Sequence, residues 1–190
     1  MDNALKQQLI DLLVKKSFKY SSEPVFRLAS GKMSNYYIDC RKATHSAEGK
    51  HIIGTIIFEL IKGTRAQAVG GLTMGADPIA CSVSHISYLN NSPLSSFTVR
   101  KEPKAHGLKN QVEGDVQAGD RVVIVEDVIT TGGSTIKAIE AAQREGLEVV
   151  KVIALVDREE GGRQAIQKLV PDTTALCTKT ELIERAEGRK

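Results

Sequence analysis

No tryptophan occurs in this sequence, and phenylalanine and tyrosine number only four each. The core must therefore be mostly aliphatic, and each aromatic ring can be followed individually. Cysteine is scarce as well. Cys40, Cys81 and Cys177 are scattered, odd in number, and form no CxxC or Cys/His pair of metal-ligand spacing. That argues against a disulfide-stapled fold and a structural zinc site. Each is read as a small buried hydrophobe in a reducing compartment. No run reaches the roughly 18 consecutive apolar residues of a membrane span. The opening segment MDNALKQQLIDLLVKK lacks the unbroken apolar stretch of a secretory signal. The expectation is a cytoplasmic protein with no membrane partner.

Charge of one sign is not in large excess either. Lys plus Arg number 26 and Asp plus Glu 23, a net of +3. One window, residues 100–110 (RKEPKAHGLKN), holds Arg100, Lys101, Lys104 and Lys109 against Glu102, four minus one, and so carries the same +3. This pattern predicts a local anion site and not a broad nucleic-acid surface.

What is present describes an ordinary globular chain, 41% hydrophobic and 26% charged. Its 190 residues favour one domain. Apolar residues at helical intervals predict a helix over residues 2–18. Residues 25–40 (VFRLASGKMSNYYIDC) read as two short extended pieces around a Ser-Gly turn. Ser46 is an N-cap for a helix running to residue 60. AVGG at 68–71 is a short buried strand, and Asp77-Pro78 reads as N-cap and N1 of the next helix. Residues 95–100 are a strand, and 101–119 a long polar loop of the kind that is functional or disordered. Residues 122–125 form an apolar, β-branched strand, 133–145 a helix stopped by Gly146, and 149–156 another apolar strand. Strands alternating with helices predict an α/β fold with a mostly parallel central sheet. Ligands of such sheets bind at the carboxyl ends of the strands. The loops after residues 70, 100, 125 and 156 should therefore converge.

The densest chemistry lies at Glu126-Asp127-Val128-Ile129-Thr130-Thr131-Gly132-Gly133-Ser134. Two acids follow a buried strand, then hydroxyls and glycines lead into a helix. Glycine lets backbone approach an anion, and free N–H groups at a helix N-terminus bind phosphate. No Lys follows the glycines, so this is not a Walker A loop, and no G-x-G-x-x-G is present. Two carboxylates beside a phosphate site repel it unless they serve hydroxyls or a metal. A ribose diol meets that need. The plainer alternative is a tight turn with solvated acids.

This segment resembles the phosphoribosyl-diphosphate motif of the type I phosphoribosyltransferases. Three further stretches and the cationic window narrow the resemblance to orotate phosphoribosyltransferases. RKEPKAHG at 100–107 is similar to that family's mobile catalytic loop. FRLASGKMSNYYID at 26–39 is similar to its N-terminal Ser-Gly segment, GGLTMGADP at 70–78 to its diphosphate-side loop, and VDREEG at 156–161 to its late Asp-Arg motif.

The resemblance implies a type I phosphoribosyltransferase fold across residues 1–190. About 1–45 would form the N-terminal helix and a hood segment, about 46–160 the α/β core, and about 161–190 C-terminal elements that contribute to the hood. It implies transfer of ribose 5-phosphate from 5-phosphoribosyl 1-diphosphate to orotate in pyrimidine biosynthesis, with Mg2+ arriving mainly on the substrate diphosphate. Arg100, Lys101, Lys104 and His106 would be the catalytic cations, with Lys101 or Lys104 a candidate proton donor. The same four, with Glu126, Asp127, Val128, Ile129, Thr130, Thr131, Gly132, Gly133 and Ser134, would bind phosphoribosyl diphosphate. Thr130, Arg158 and Tyr37 would contact orotate, with Ser34 nearby and Tyr36 or Tyr37 equally a core aromatic. Arg158 could instead be a structural partner of Glu159 or Glu160. A homodimer is implied, with the 101–116 loop reaching the partner's site. Two positions depart from some family members. Ala29 stands where a Lys can precede the Ser-Gly pair, and Met74-Gly75 where a Tyr-Lys pair can stand. Lys32 has no assigned role. The alternatives are a phosphoribosyltransferase for another base, or a phosphoribosyl-diphosphate-sensing regulator that binds nucleic acid.

Overall fold

A computed structural model describes residues 3–27, 31, 33–102 and 111–188. Helix α1 (Asn3–Lys16) buries Leu9, Ile10, Leu12 and Leu13. It stops short of the expected end because Phe18 begins a strand. That strand, β1 (Phe18–Tyr20), is followed by β2 (Phe26–Arg27), β3 (Met33–Ser34) and β4 (Tyr36–Ile38). β1 pairs antiparallel with β4, and β2 with β3. β2 on one side of the Ser-Gly turn and β3 with β4 on the other are the short extended pieces foreseen within residues 25–40, whereas β1 was not foreseen. A one-turn helix, α2 (Arg41–Thr44), leads into α3 (Ala47–Ile61). Ser46 caps α3 as its residue type predicts, accepting from the Gly49 N–H at 3.1 Å, a contact worth about 1 kcal/mol.

The central unit follows. β5 (Ala68–Leu72) precedes α4 (Asp77–Leu89), then come β6 (Ser95–Val99), β7 (Val112–Gly114), β8 (Arg121–Ile129), α5 (Gly133–Arg144), β9 (Glu148–Asp157), α6 (Gly162–Gln167), β10 (Thr173–Thr178) and α7 (Lys179–Ala186). Six strands form one sheet in the order β10-β9-β8-β5-β6-β7. All neighbours are parallel except β7, which lies antiparallel on the β6 edge. The α/β expectation with a mostly parallel sheet therefore holds.

Alternation along the inner strands explains both layers. Val123 and Val125 of β8 and Ile153 and Leu155 of β9 face α1, α3, α4 and α7. Val122, Ile124, Val152 and Ala154 face α5 and α6. A strand buried on both faces needs an unbroken apolar run; residues 122–125 of β8 and 152–156 of β9 supply it, Lys151 interrupting the stretch expected at 149–156.

Three local expectations are corrected. Asp77 is not the N-cap of α4. Ala76 holds that place, and Asp77 is already in the first turn. Its carboxylate instead accepts hydrogen bonds from the Thr73 and Thr98 hydroxyls at 2.7 and 2.8 Å. Cys81 is exposed, whereas Cys40 and Cys177 are buried as expected. The 101–119 stretch is not structureless throughout, because residues 112–114 add the edge strand β7.

The order of strands matters for function. From β5 the chain moves outward to β6 and β7. It then returns to β8 beside β5 and moves the other way to β9 and β10. The reversal falls between β5 and β8, where α/β sheets of this kind open a crevice at their carboxyl ends.

Candidate active site

The strand β8 runs farther than its apolar stretch, to Ile129, so both acids lie on the strand and not in the loop beyond it. Glu126 is buried, and its Oε2 accepts a hydrogen bond from the Thr135 hydroxyl at 3.0 Å. Burial, reinforced by the neighbouring Asp127 carboxylate, pushes the Glu126 carboxyl up to about 8. Asp127 is half-buried, and its Oδ1 accepts from the Val128 N–H at 2.8 Å.

Residues 130–133 then turn the chain into α5. Gly132, the residue before that helix, sits in the left-handed region at φ 84°, and no side chain caps the helix start. The N–H groups of the first turn thus face a hollow of about 70 Å³ lined by Glu126 and residues 128–135. Such a helix start favours an anion. The turn is clamped from behind by Gly162. A Cβ there would lie 2.4 Å from the Thr130 carbonyl and 2.7 Å from the Gly132 nitrogen.

Beside this hollow a cleft of about 300 Å³ is lined by Arg41, Leu72, Thr73, Met74, Gly75, Lys101, Glu126, Asp127 and Ser134. Loops after β5, β6 and β8 meet here, as the strand-end argument required. Gly75 passes so close to Asp127 that a Cβ would stand 2.7 Å from Oδ1. The Thr73–Met74 peptide is cis. A larger groove of about 420 Å³ between α3 and α4 shares none of these residues.

Arg158 follows β9 directly. Its backbone N–H donates to the Ile129 carbonyl at 2.9 Å, which fixes it beside the phosphate loop. Nη1 reaches the Thr130 hydroxyl at 3.4 Å and Nη2 the Tyr36 hydroxyl at 3.1 Å. Nη2 also pairs with Glu160 at 2.8 Å, so the structural partner foreseen for Arg158 exists. The guanidinium nonetheless keeps a buried Nε without a hydrogen-bond partner. The ring of Tyr36 lies under both Arg158, at 5.3 Å, and the Lys179 ammonium, at 5.7 Å.

Of the two tyrosines, the structure thus brings Tyr36 to Arg158. Tyr37 is exposed, with its ring tilted against Phe26 at 6.5 Å. Adjacent strand residues point to opposite faces, so only one of the pair faces Arg158. Ser34 is buried, and its hydroxyl accepts from the Tyr36 N–H at 3.2 Å.

Arg100 pairs with Glu113 of β7 at 3.6 Å, and Lys101 lines the cleft. Lys104 and His106 lie outside the described residues, as do Ala29 and Lys32. Arg41, Thr135, Gly162 and Lys179 also stand at or beside the site, and none of them is among the site residues legible in the sequence.

Residues 82–173 match the model of the phosphoribosyl transferase domain. The orotate phosphoribosyltransferase of Aquifex aeolicus is 49% identical over 163 residues, spanning 86% of this chain and 89% of the relative. The chain belongs to the orotate phosphoribosyltransferase family. Among solved structures, the orotate phosphoribosyltransferase of Mycobacterium tuberculosis H37Rv superposes with a TM-score of 0.81 at 35% identity, covering 94% of this chain and 98% of that one. The same enzyme in complex with 5-phospho-alpha-D-ribosyl 1-diphosphate superposes with a TM-score of 0.75 at 31% identity, covering 96% and 93%. Family membership bears out the reading of the four motifs together.

Proposed function

We propose that this chain is an orotate phosphoribosyltransferase: it transfers ribose 5-phosphate from 5-phosphoribosyl 1-diphosphate to orotate, giving orotidine 5′-monophosphate and diphosphate. The observation that carries this reading is the placement of Arg158 against Thr130. A fork-shaped cation suited to a planar carboxylate stands at the rim of a phosphate hollow.

The geometry supports the following roles. The 5′-phosphate of the substrate sits on the N–H groups and hydroxyls of residues 130–134. Glu126 and Asp127 accept from the two ribose hydroxyls. The diphosphate extends into the cleft beside Thr73 and Lys101, and orotate lies toward Arg158 under Tyr36. Ser34 and Tyr37 belong to the ribbons that cover the base, the hood of this fold. Orotate's carboxylate must share the Arg158 guanidinium with Glu160 or displace it.

Bond breaking at the anomeric carbon builds positive charge on the sugar and negative charge on the departing diphosphate. Fixed cations at the leaving group lower that barrier. Lys101 serves this role, together with Arg100, Lys104 and His106 from the same stretch of sequence.

Among the described residues, no three His, Cys, Asp or Glu side chains come together to hold a metal. The adjacent carboxylates Glu126 and Asp127 do fit a hard cation whose remaining oxygen ligands come from substrate and water. Mg2+ held in that way would neutralise diphosphate charge. No helix among the described residues is long and apolar enough to cross a membrane. A cytoplasmic homodimer completes the proposal.

Base competition tests the reading. Orotate should be converted with phosphoribosyl diphosphate, while adenine, hypoxanthine and guanine should not. Preferential conversion of a purine would overturn it.

A further inference from the structure

The diphosphate-side wall, residues 72–75 (Leu-Thr-Met-Gly), contains no cation. Opposite it stand two acidic side chains, the buried Glu126 and its neighbour Asp127. A cleft so lined offers a phosphoanion no attraction of its own, so positive charge must come from elsewhere. Among the described residues that line it, only Arg41 and Lys101 are cationic.

Arg41 comes from a distant part of the chain, the start of α2. It is held there rigidly. Asp39 Oδ1 accepts from Nε at 2.8 Å and Oδ2 from Nη2 at 2.7 Å, a bidentate pair. Asp39 is itself anchored, because its backbone N–H donates to the Ser17 carbonyl at 2.8 Å, just after α1. This pair leaves Nη1 without a hydrogen bond among the described residues, on a side chain that is 57% exposed and borders the cleft.

We infer that Arg41 contacts the diphosphate of phosphoribosyl diphosphate through Nη1, supplying from the N-terminal segment the positive charge that the β5–α4 loop does not carry. Asp39 is the positioning residue that aims it. The inference rests on the proposed reading of the cleft as the diphosphate side of a phosphoribosyltransferase site. Lysine at position 41 would keep the charge but not the fork that engages Asp39 and ligand together.

The test separates the two ends of the substrate. Inorganic diphosphate probes the cleft, and ribose 5-phosphate probes the loop at residues 130–134. For Arg41→Ala, inhibition by diphosphate should weaken about tenfold and the KM for phosphoribosyl diphosphate should rise similarly, as befits a charge-assisted hydrogen bond partly open to solvent. Inhibition by ribose 5-phosphate should stay within about twofold, because the neutral and anionic groups that hold it are untouched. Arg41→Lys should fall between wild type and alanine. Circular dichroism checks that the variants fold, and Arg41→Gln and Arg41→Lys carry the comparison if the alanine variant does not. Unchanged diphosphate inhibition, or an equal loss for both ligands, would overturn the inference. Wild-type protein that binds neither ligand would sink the reading of the cleft itself, and the role of Arg41 with it.

Discussion

At Arg158 a single guanidinium ties its own segment, where Glu160 pairs with it, to two distant ones, touching Thr130 and Tyr36. If it receives the carboxylate of orotate, Arg158→Ala should raise the KM for orotate by roughly 30- to 100-fold, the scale of a lost charged hydrogen-bond pair. The KM for phosphoribosyl diphosphate should change little. Initial-rate kinetics with each substrate varied in turn would show the split, and equal effects on both would contradict the assignment.

Glu126 makes a prediction about stability. Its folded pKa is raised above the ordinary carboxylate range, to about 8, by burial and by Asp127. Between the unfolded value and about 8 the folded chain holds a proton that the unfolded chain releases. Stability without ligand should therefore fall as pH rises through that window, by about 1 kcal/mol per pH unit at its steepest, and level off above it. Glu126→Gln should flatten the profile in urea unfolding at several pH values. A wild-type profile that rises across the same window would refute the burial argument.

The element that organises the site is the β8-loop-α5 unit. Its sequence is contiguous, so strand, acids, glycines and helix start could all be read directly. The clamp behind it could not. Gly162 lies some thirty residues on and looks like any turn glycine, yet its missing side chain is what lets α6 press on the Thr130 carbonyl. Gly162→Ala should cost about 1–3 kcal/mol of stability through overcrowding and weaken ribose 5-phosphate binding. Thermal melts and titration of that ligand would check both, and an unchanged variant would show that the loop needs no such support.

Other elements differ in legibility for similar reasons. β8 and β9 are buried on both faces and so carry unbroken apolar runs. β10 has only three apolar residues between its threonines, β7 is three residues long on an edge, and neither stands out in sequence. The choice between Tyr36 and Tyr37 depended on which face of β4 meets Arg158, a pairing across 122 positions that only folding reveals. Asp77 looked like a helix cap because its residue type favours that place. Its carboxylate is used instead to tie Thr73 to Thr98, holding the β5–α4 loop to the neighbouring strand.

For the whole molecule, the reversal of strand order between β5 and β8 explains why distant motifs share one edge. The loops after β5, β6, β8 and β9 all leave the same end of the sheet, so each brings one part of the chemistry to it. The cationic loop after β6 is proposed to act across a dimer. Lys104→Ala and Arg158→Ala, each impaired alone, should then complement when mixed and allowed to exchange subunits. Half of the dimers become hybrids with one intact site each, restoring roughly a quarter of wild-type sites. No recovery despite demonstrated exchange would place the loop on its own subunit.

The central claim is the transfer of ribose 5-phosphate to orotate at this edge of the sheet. Its most direct test is to follow the ultraviolet absorbance of orotate when folded protein is mixed with phosphoribosyl diphosphate and Mg2+. Orotate should disappear in step with release of diphosphate, one for one, and only when phosphoribosyl diphosphate is present. Folded protein that leaves orotate unchanged under those conditions would contradict the account.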